Sequence, residues 1–407
     1  MNKVFSFYSH LSDSMKRNIL FIVASYVLIL FTYPFFRVTT TTLFFQSYGA
    51  SHTPMAQVMG IILIGIVILG INHFQKRVGI HRLYCIFVPF VSMLFLTLYF
   101  LYINGFTWAA FALFSLKEAY IVIVVHLVLG YCNHYFNRDE VKMFYGPLGG
   151  VSSLAAMLGG LLTSVLAKYY QPTMTMFIGA FLLCLSAILF WFTQRLRYQE
   201  EERLNVSPLV AVSKIKEYAF LIAIIIALSQ FAITVAELKF NLLFEQLVSN
   251  SDGRAEKLAL IYSSINAFSL CVQFFILPFI AIKFSNKVLH YFIPAFYLFA
   301  FFIGNGMAGE FLISVSLTYI LYKGIDYSLF ALCKEVLYQC LTTMQKYGAK
   351  YIADMFSYRT AKGVISLVLI QYQSPELLNV LIYSFLALWV IALYFLFYFE
   401  RKYFQSA

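Results

Sequence analysis

The chain has 407 residues, of which 61% are hydrophobic and 12% charged, against about 45–50% and about 25% in a soluble domain. A mean hydropathy of +0.80 leaves too little polar surface to cover water-soluble cores. A soluble enzyme is excluded, and the sequence reads as an integral membrane protein. The net charge of +11, from 29 Lys+Arg and 18 Asp+Glu, reports orientation before partners in such a chain.

A helix needs about 20 apolar residues to cross a hydrocarbon layer about 30 Å thick. The apolar runs are continuous rather than alternating every second residue, which selects helices over an outer-membrane barrel. In chain order the runs predict twelve spans, at roughly 18–36, 55–74, 83–103, 108–131, 144–167, 174–193, 217–240, 258–282, 289–305, 309–332, 350–371 and 376–399. The first run lies behind 17 polar-leaning residues with no small-residue cleavage site after it, so it is expected to be a permanent helix and not a signal peptide.

Alternate loops then fall on two sides. One side collects 20 basic residues, and the other four, Arg37, Lys168, Arg254 and Lys257. The bias predicts that the 20 are cytoplasmic and that both termini lie inside. After the sixth span, the stretch Gln194–Lys216 carries the charge run Glu200, Glu201, Glu202, Arg203. The predicted organisation is all-α: a six-helix half over 1–193, a cytoplasmic linker over 194–216 and a second six-helix half over 217–407. That layout belongs to transporters built from two parallel halves. The loop Lys76–Arg82, with Gly79 between the second and third spans, resembles the basic motif of the major facilitator superfamily. The cysteines Cys85, Cys132, Cys184, Cys271, Cys333 and Cys340 form no CxxC pair. They are expected to be buried small hydrophobes, with no disulfide and no metal.

Ionisable groups inside a span cost several kcal/mol and mark a cavity, a structural pair or a misdrawn edge. The basic ones are Lys117, Lys239, Lys323, Arg359 and Lys362, and the acidic ones Glu118, Glu237, Asp326 and Asp354. In the two-half layout the first, fourth, seventh and tenth helices line the central cavity, and Arg37, Glu118, Glu237 and Lys323 with Asp326 sit on those helices. Lys323 and Asp326, three apart, share a face and suit either an internal ion pair or a substrate site. Lys350 and Asp354 are four apart, and Arg359 and Lys362 three apart, giving the eleventh helix a basic-rich face. Glu118, near mid-span, is expected to be functional. Lys117, its neighbour, points about 100° away, so Lys323 is the expected partner. Glu237 and Lys239, close to a span end, fit snorkelling as well as function. His126, two turns from Glu118, is expected to be a satisfied core histidine, with a proton relay through Glu118 and His126 as the alternative.

Phe144-Tyr145-Gly146-Pro147-Leu148-Gly149-Gly150, with Gly159 and Gly160 beyond, predicts close helix packing through small residues. It follows no strand and lacks a Lys-Ser/Thr ending, which excludes a P-loop. No HExxH, GxSxG or kinase motif set is present, so no enzyme is expected.

Two stretches carry a resemblance. Asp139-Glu140-Val141-Lys142-Met143-Phe144-Tyr145, after Glu118 and Asn133, resembles the Asp-Glu-Ala-Lys-Arg-Phe-Tyr segment of the nucleotide transporter (ATP/ADP translocase) family of intracellular bacteria and plastids. Lys323, Tyr327-Ser328-Leu329-Phe330, Lys334-Glu335-Val336-Leu337-Tyr338, Leu341, Lys350, Asp354 and Lys362-Gly363 resemble its signature of the tenth and eleventh helices. The chain departs from the pattern where Thr40 and Thr41 replace a Lys-Asp pair after Arg37, where Ser51 and Gln57 replace a Glu and a Lys, and where Asn241 replaces a basic residue four beyond Glu237.

The resemblance implies a multi-pass carrier of the bacterial inner membrane that moves nucleotides, purine nucleoside di- and triphosphates first, by alternating access in exchange or net import. A nucleoside triphosphate brings about four negative charges that must lose water, so Lys and Arg groups must replace its hydration. The candidate set is Arg37, Lys117, Lys323, Lys350, Arg359 and Lys362, with the acids Glu118, Glu237, Asp326 and Asp354. Tyr120 and Tyr327 are candidates for stacking a base. Expected partners are the nucleotide and the bilayer, with no cofactor, metal, nucleic acid or obligate protein partner. A proton-coupled symporter of a smaller polar solute is the alternative, and a lipid flippase or receptor a third class.

Overall fold

The computed structural model describes residues 12–136, 138–170, 172–194, 207–306 and 312–404. The expected linker therefore falls largely outside the described residues. So do the side chains of Asp139–Tyr145, the first of the two resembling stretches.

The helices, in order, are α1 (Asp13–Tyr48), α2 (Thr53–Val78), α3 (Ile80–Ile103), α4 (Trp108–Tyr135), α5 (Arg138–Tyr169), α6 (Pro172–Trp191) and α7 (Lys216–Leu247). They continue as α8 (251–283), α9 (Asn286–Gly306), α10 (312–337), α11 (343–371) and α12 (Pro375–Phe404). Ten of them, α1 to α9 and α12, are long and apolar enough to cross a membrane, which makes this a multi-pass, all-helical chain. α8, α10 and α11 are each interrupted by a π-helical stretch, at Val272–Ile276, Asp326–Phe330 and Tyr351–Ser357.

The first span is longer than its hydropathy suggested. α1 continues through Arg37 and the buried threonines Thr39–Thr42 to Tyr48, so Arg37 belongs to a helix interior and not to an outer loop. Gly49 then breaks the helix at φ 80°, a region open to glycine without Cβ strain.

The chain divides into two compact units. The first holds residues 1–48, 59–199 and 249–267, and the second 49–58, 200–248 and 268–407. Thus α2 and α8 each contribute residues to both. Within the first unit, α1 packs on α4, α5 and α6, and α3 packs on α4 and α6. Within the second, α7 packs on α10, α11 and α12, and α9 on α10 and α12. Every contact of the first set has its counterpart six helices later. α3 and α9 also each carry one proline in their first half, Pro89 and Pro294.

Lipid is as apolar as a leucine, so helices in a bilayer are held by close packing and buried hydrogen bonds. A Cβ on Gly159 of α5 would fall onto the Phe31 carbonyl of α1, and one on Gly160 onto the Ser263 hydroxyl of α8. The expected small-residue packing is therefore met at these two positions, whereas Gly149 faces open space. In the first unit Ser25, Tyr84 and Ser186 join α1, α3 and α6 through bonds of 2.9–3.1 Å. In the second, Tyr297 and Tyr322 stack at 4.2 Å, and each hydroxyl donates to the other's carbonyl, at 2.9 and 2.8 Å.

Not every cysteine is buried. Cys132 and Cys333 are, but Cys271 and Cys340 are exposed, and all six are free thiols.

Candidate functional site

In the first unit Arg37, Lys117 and Glu118 are already engaged. Arg37 is 8% exposed, with its guanidinium carbon 3.6 Å from the Tyr262 ring centre and 5.7 Å from that of Tyr33. Ring faces give a cation a partner where water is absent. Glu118 does not wait for Lys323. Lys117 Nζ meets its carboxylate at 2.9 Å, with the two side chains 3% and 18% exposed. The neighbours' Cα–Cβ directions do diverge, but four methylenes let the ammonium swing back across the helix surface. There it also lies 3.4 Å from the Phe114 ring centre. Gly60 of α2 sits against the Glu118 Cβ, so α2 covers the base of this pair.

Two further expectations for α4 change. His126 is exposed, not a core histidine. Tyr120 is fully buried and wedged among Phe36, Phe95 and Tyr33; it packs the core and offers no face to a base.

In the second unit, Glu237 is 9% exposed and accepts the Tyr319 hydroxyl at 3.1 Å. Because α7 runs on to Leu247, neither Glu237 nor Lys239 is at a helix end, and snorkelling does not describe them. Lys239 donates to Asn379 at 2.7 Å and lies 4.9 Å from the Phe301 ring centre. Both it and Tyr319 line a cavity of about 20 Å³, room for about one water.

The pairs that spacing permits in α10 and α11 do not form. Asp326 opens a π-helical turn. Lys323 and Asp326 approach no closer than 4 Å. The carboxylate instead accepts the Gln230 amide at 3.5 Å, and the ammonium lies 5.9 Å from the Tyr327 ring centre. The turn meets the π-helical turn of α8, whose Gln273 amide caps the Tyr327 carbonyl at 3.1 Å. Tyr327 itself is 40% exposed.

Likewise the π-helical stretch begins directly after Lys350 and includes Asp354, and both residues turn to α10. Lys334 meets Asp354 at 2.9 Å, and Lys350 meets Glu335 at 2.6 Å. The Tyr338 hydroxyl adds a 3.2 Å bond to Asp354. This crossed clasp uses Lys334, Glu335 and Tyr338, which sequence reasoning quoted as motif letters and gave no task. Gln230, Tyr262, Tyr319 and Asn379 carried no signal, being single polar residues in apolar helices. Arg359 and Lys362 of α11 are half-buried.

No protein-family model matches the sequence, and no curated protein does. Solved structures do match in fold. The nucleoside transporter NupG aligns with a TM-score of 0.64 at 13% identity, covering 94% of this chain and 99% of that one. A bacterial homologue of the iron transporter ferroportin aligns at 0.66 and 12%, covering 96% and 100%. The POT family transporter PepTSo aligns at 0.64 and 14%, covering 96% and 99%. The chain has the fold of these membrane transporters.

Proposed function

We propose that the chain is a transporter of nucleotides, purine nucleoside di- and triphosphates first, in a bacterial inner membrane. It crosses twelve times with both termini cytoplasmic, and works by alternating access of its two six-helix halves. The fold supports a carrier, and the second resembling stretch supports the substrate class.

One observation carries the substrate reading: Lys323 is 7% exposed, and among the described residues no carboxylate lies within 4 Å of it. A buried cation in an apolar setting calls for an anion, and a phosphate supplies one. The Lys117, Lys334 and Lys350 ammonium groups already face carboxylates. Arg37, held on two tyrosine rings, is the second candidate for the phosphates, with Arg359 and Lys362 after it.

Uptake of radiolabelled ATP and ADP into proteoliposomes tests the reading. Lys323→Gln should weaken ATP binding about 10–150-fold, the worth of a charge-assisted hydrogen bond of about 1.5–3 kcal/mol. Lys168→Gln, on an exposed last turn of α5, should leave it unchanged. No nucleotide transport, or equal affinities in both variants, refutes the reading. The buried hydroxyls of Thr40 and Thr41, where the resembled family carries a Lys-Asp pair, favour the second reading, a symporter of a smaller polar solute. Uptake of such a solute without nucleotide competition would establish it.

A further inference from the structure

Asp326 has no task in that reading. It is 7% exposed, yet among the described residues its one hydrogen bond is the long 3.5 Å contact from Gln230 Nε2 to Oδ1. The groups facing it are few. On α10 they are Lys323 and Lys334, on α7 Gln230, and on α9 Tyr297. Lys334 is engaged by Asp354 at 2.9 Å, and the Tyr297 hydroxyl is donated to the Tyr322 carbonyl. Lys323 is left as the one facing cation that no other carboxylate holds, and it stands beyond contact distance. Two buried opposite charges on one helix thus balance each other through space and not by touching.

Such a balance is conditional. An anion that occupies Lys323 takes up the positive charge on which the Asp326 carboxylate relies, and sets a second negative charge beside it. We propose that Asp326 binds a proton when an anionic substrate occupies Lys323, so that the chain carries anion and proton together. The inference rests on the reading that Lys323 holds the substrate's phosphate. Gln230 keeps Oδ1 hydrogen-bonded, so the new O–H bond forms at Oδ2, with a proton from the solution on the side where the substrate enters. Both leave on the other side, the proton returning to water as the anion releases Lys323. Linkage requires the reverse as well: the proton must tighten the anion. This role belongs to Asp326 and not to Glu118, which faces Lys117, nor to exposed His126.

Two measurements test it. The first needs no substrate: infrared difference spectra of the lipid-reconstituted protein. Lys323→Gln removes the balancing charge outright, so it should show a carboxylic-acid C=O band that wild type lacks and that Lys323→Gln/Asp326→Asn loses. No such band in Lys323→Gln, or the band already present in wild type, overturns the coupling whatever the substrate. The second is ATP affinity between about pH 7.5 and 8.5, above the second ionisation of a phosphate ester at about 6. Wild type should weaken about tenfold per pH unit, one proton's worth. Asp326→Glu should keep that slope, and Asp326→Asn should be flat. A steep slope in Asp326→Asn, or a slope replaced by sodium dependence, overturns the proposal. If the infrared band behaves as expected while ATP has no effect, the proton site stands and the nucleotide reading falls.

Discussion

Replacing Glu118 by Gln should destabilise the protein by about 3 kcal/mol, and replacing Lys117 by Met at the same time should restore most of it. The Lys117 side chain is 3% exposed and its ammonium is 2.9 Å from the Glu118 carboxylate. Removing one member of a buried pair costs about 3–5 kcal/mol, because the charge left behind has lost its partner. The lower end applies here, since Glu118 is 18% exposed and part of its charge is already screened by solvent. The same asymmetry makes Lys117→Met alone the milder change, because the carboxylate left behind keeps some access to water. In the double variant Met is close to Lys in length, and its sulfur can rest on the Phe114 ring where the ammonium now lies 3.4 Å from the centre. Reversible unfolding in mixed micelles, run as a double-mutant cycle, should give a coupling energy above about 1 kcal/mol. Strict additivity of the two single changes would refute the pair. Full stability of Glu118→Gln with loss of transport would move Glu118 into the substrate site.

Gly159→Ala should cost about 1–3 kcal/mol, because its Cβ meets the backbone carbonyl of Phe31, while Gly149→Ala, into open space, should be neutral by the same unfolding assay. Equal effects would remove α5–α1 packing as the reason for the glycine. Exchanging charges in the clasp, Glu335→Lys with Lys350→Glu, should recover the loss caused by either change alone. That loss should not exceed about 1 kcal/mol, since both side chains are partly exposed. A double variant worse than both singles would refute the pairing.

The helices were legible because the bilayer imposes one length and one polarity on whatever crosses it. Their edges were less so. Hydropathy ended the first span at Arg37, yet α1 continues to Tyr48, because Tyr262 supplies the guanidinium with a ring face that no local pattern reveals. The sequence predicts a repeat as two sets of six runs about a polar linker. The structure adds the matched packing of α1 and α7 against the three last helices of their own sets. Register was where sequence arithmetic failed. Lys323 with Asp326, and Lys350 with Asp354, have the spacing of helical ion pairs, but that spacing assumes an unbroken 3.6-residue repeat. π-helical turns begin at Asp326 and Tyr351, at or directly beside both pairs. The carboxylates and ammonium groups were thereby released to other partners, Asp354 to Lys334 and Lys350 to Glu335.

That redistribution is what makes the α10 charges informative. A charge inside an apolar helix bundle is tolerated when something neutralises or solvates it, and most of the intramembrane set has found its means within the protein. Lys117 has Glu118, Asp354 has Lys334, Glu237 has the Tyr319 hydroxyl, and Lys239 has the Asn379 amide. Arg37 rests on aromatic faces, and Arg359 is only half-buried. Lys323 and Asp326, each 7% exposed, are as buried as Arg37 and Glu237, and their contacts, 5.9 Å to a ring centre and 3.5 Å to an amide, are longer than those pairings. The π-helical turn that starts at Asp326 packs against the α8 turn, with Gln273 capping the Tyr327 carbonyl. A cation and an acid kept close enough to feel each other, but not close enough to satisfy each other, leave room for a ligand that satisfies both: an anion for one, a proton for the other.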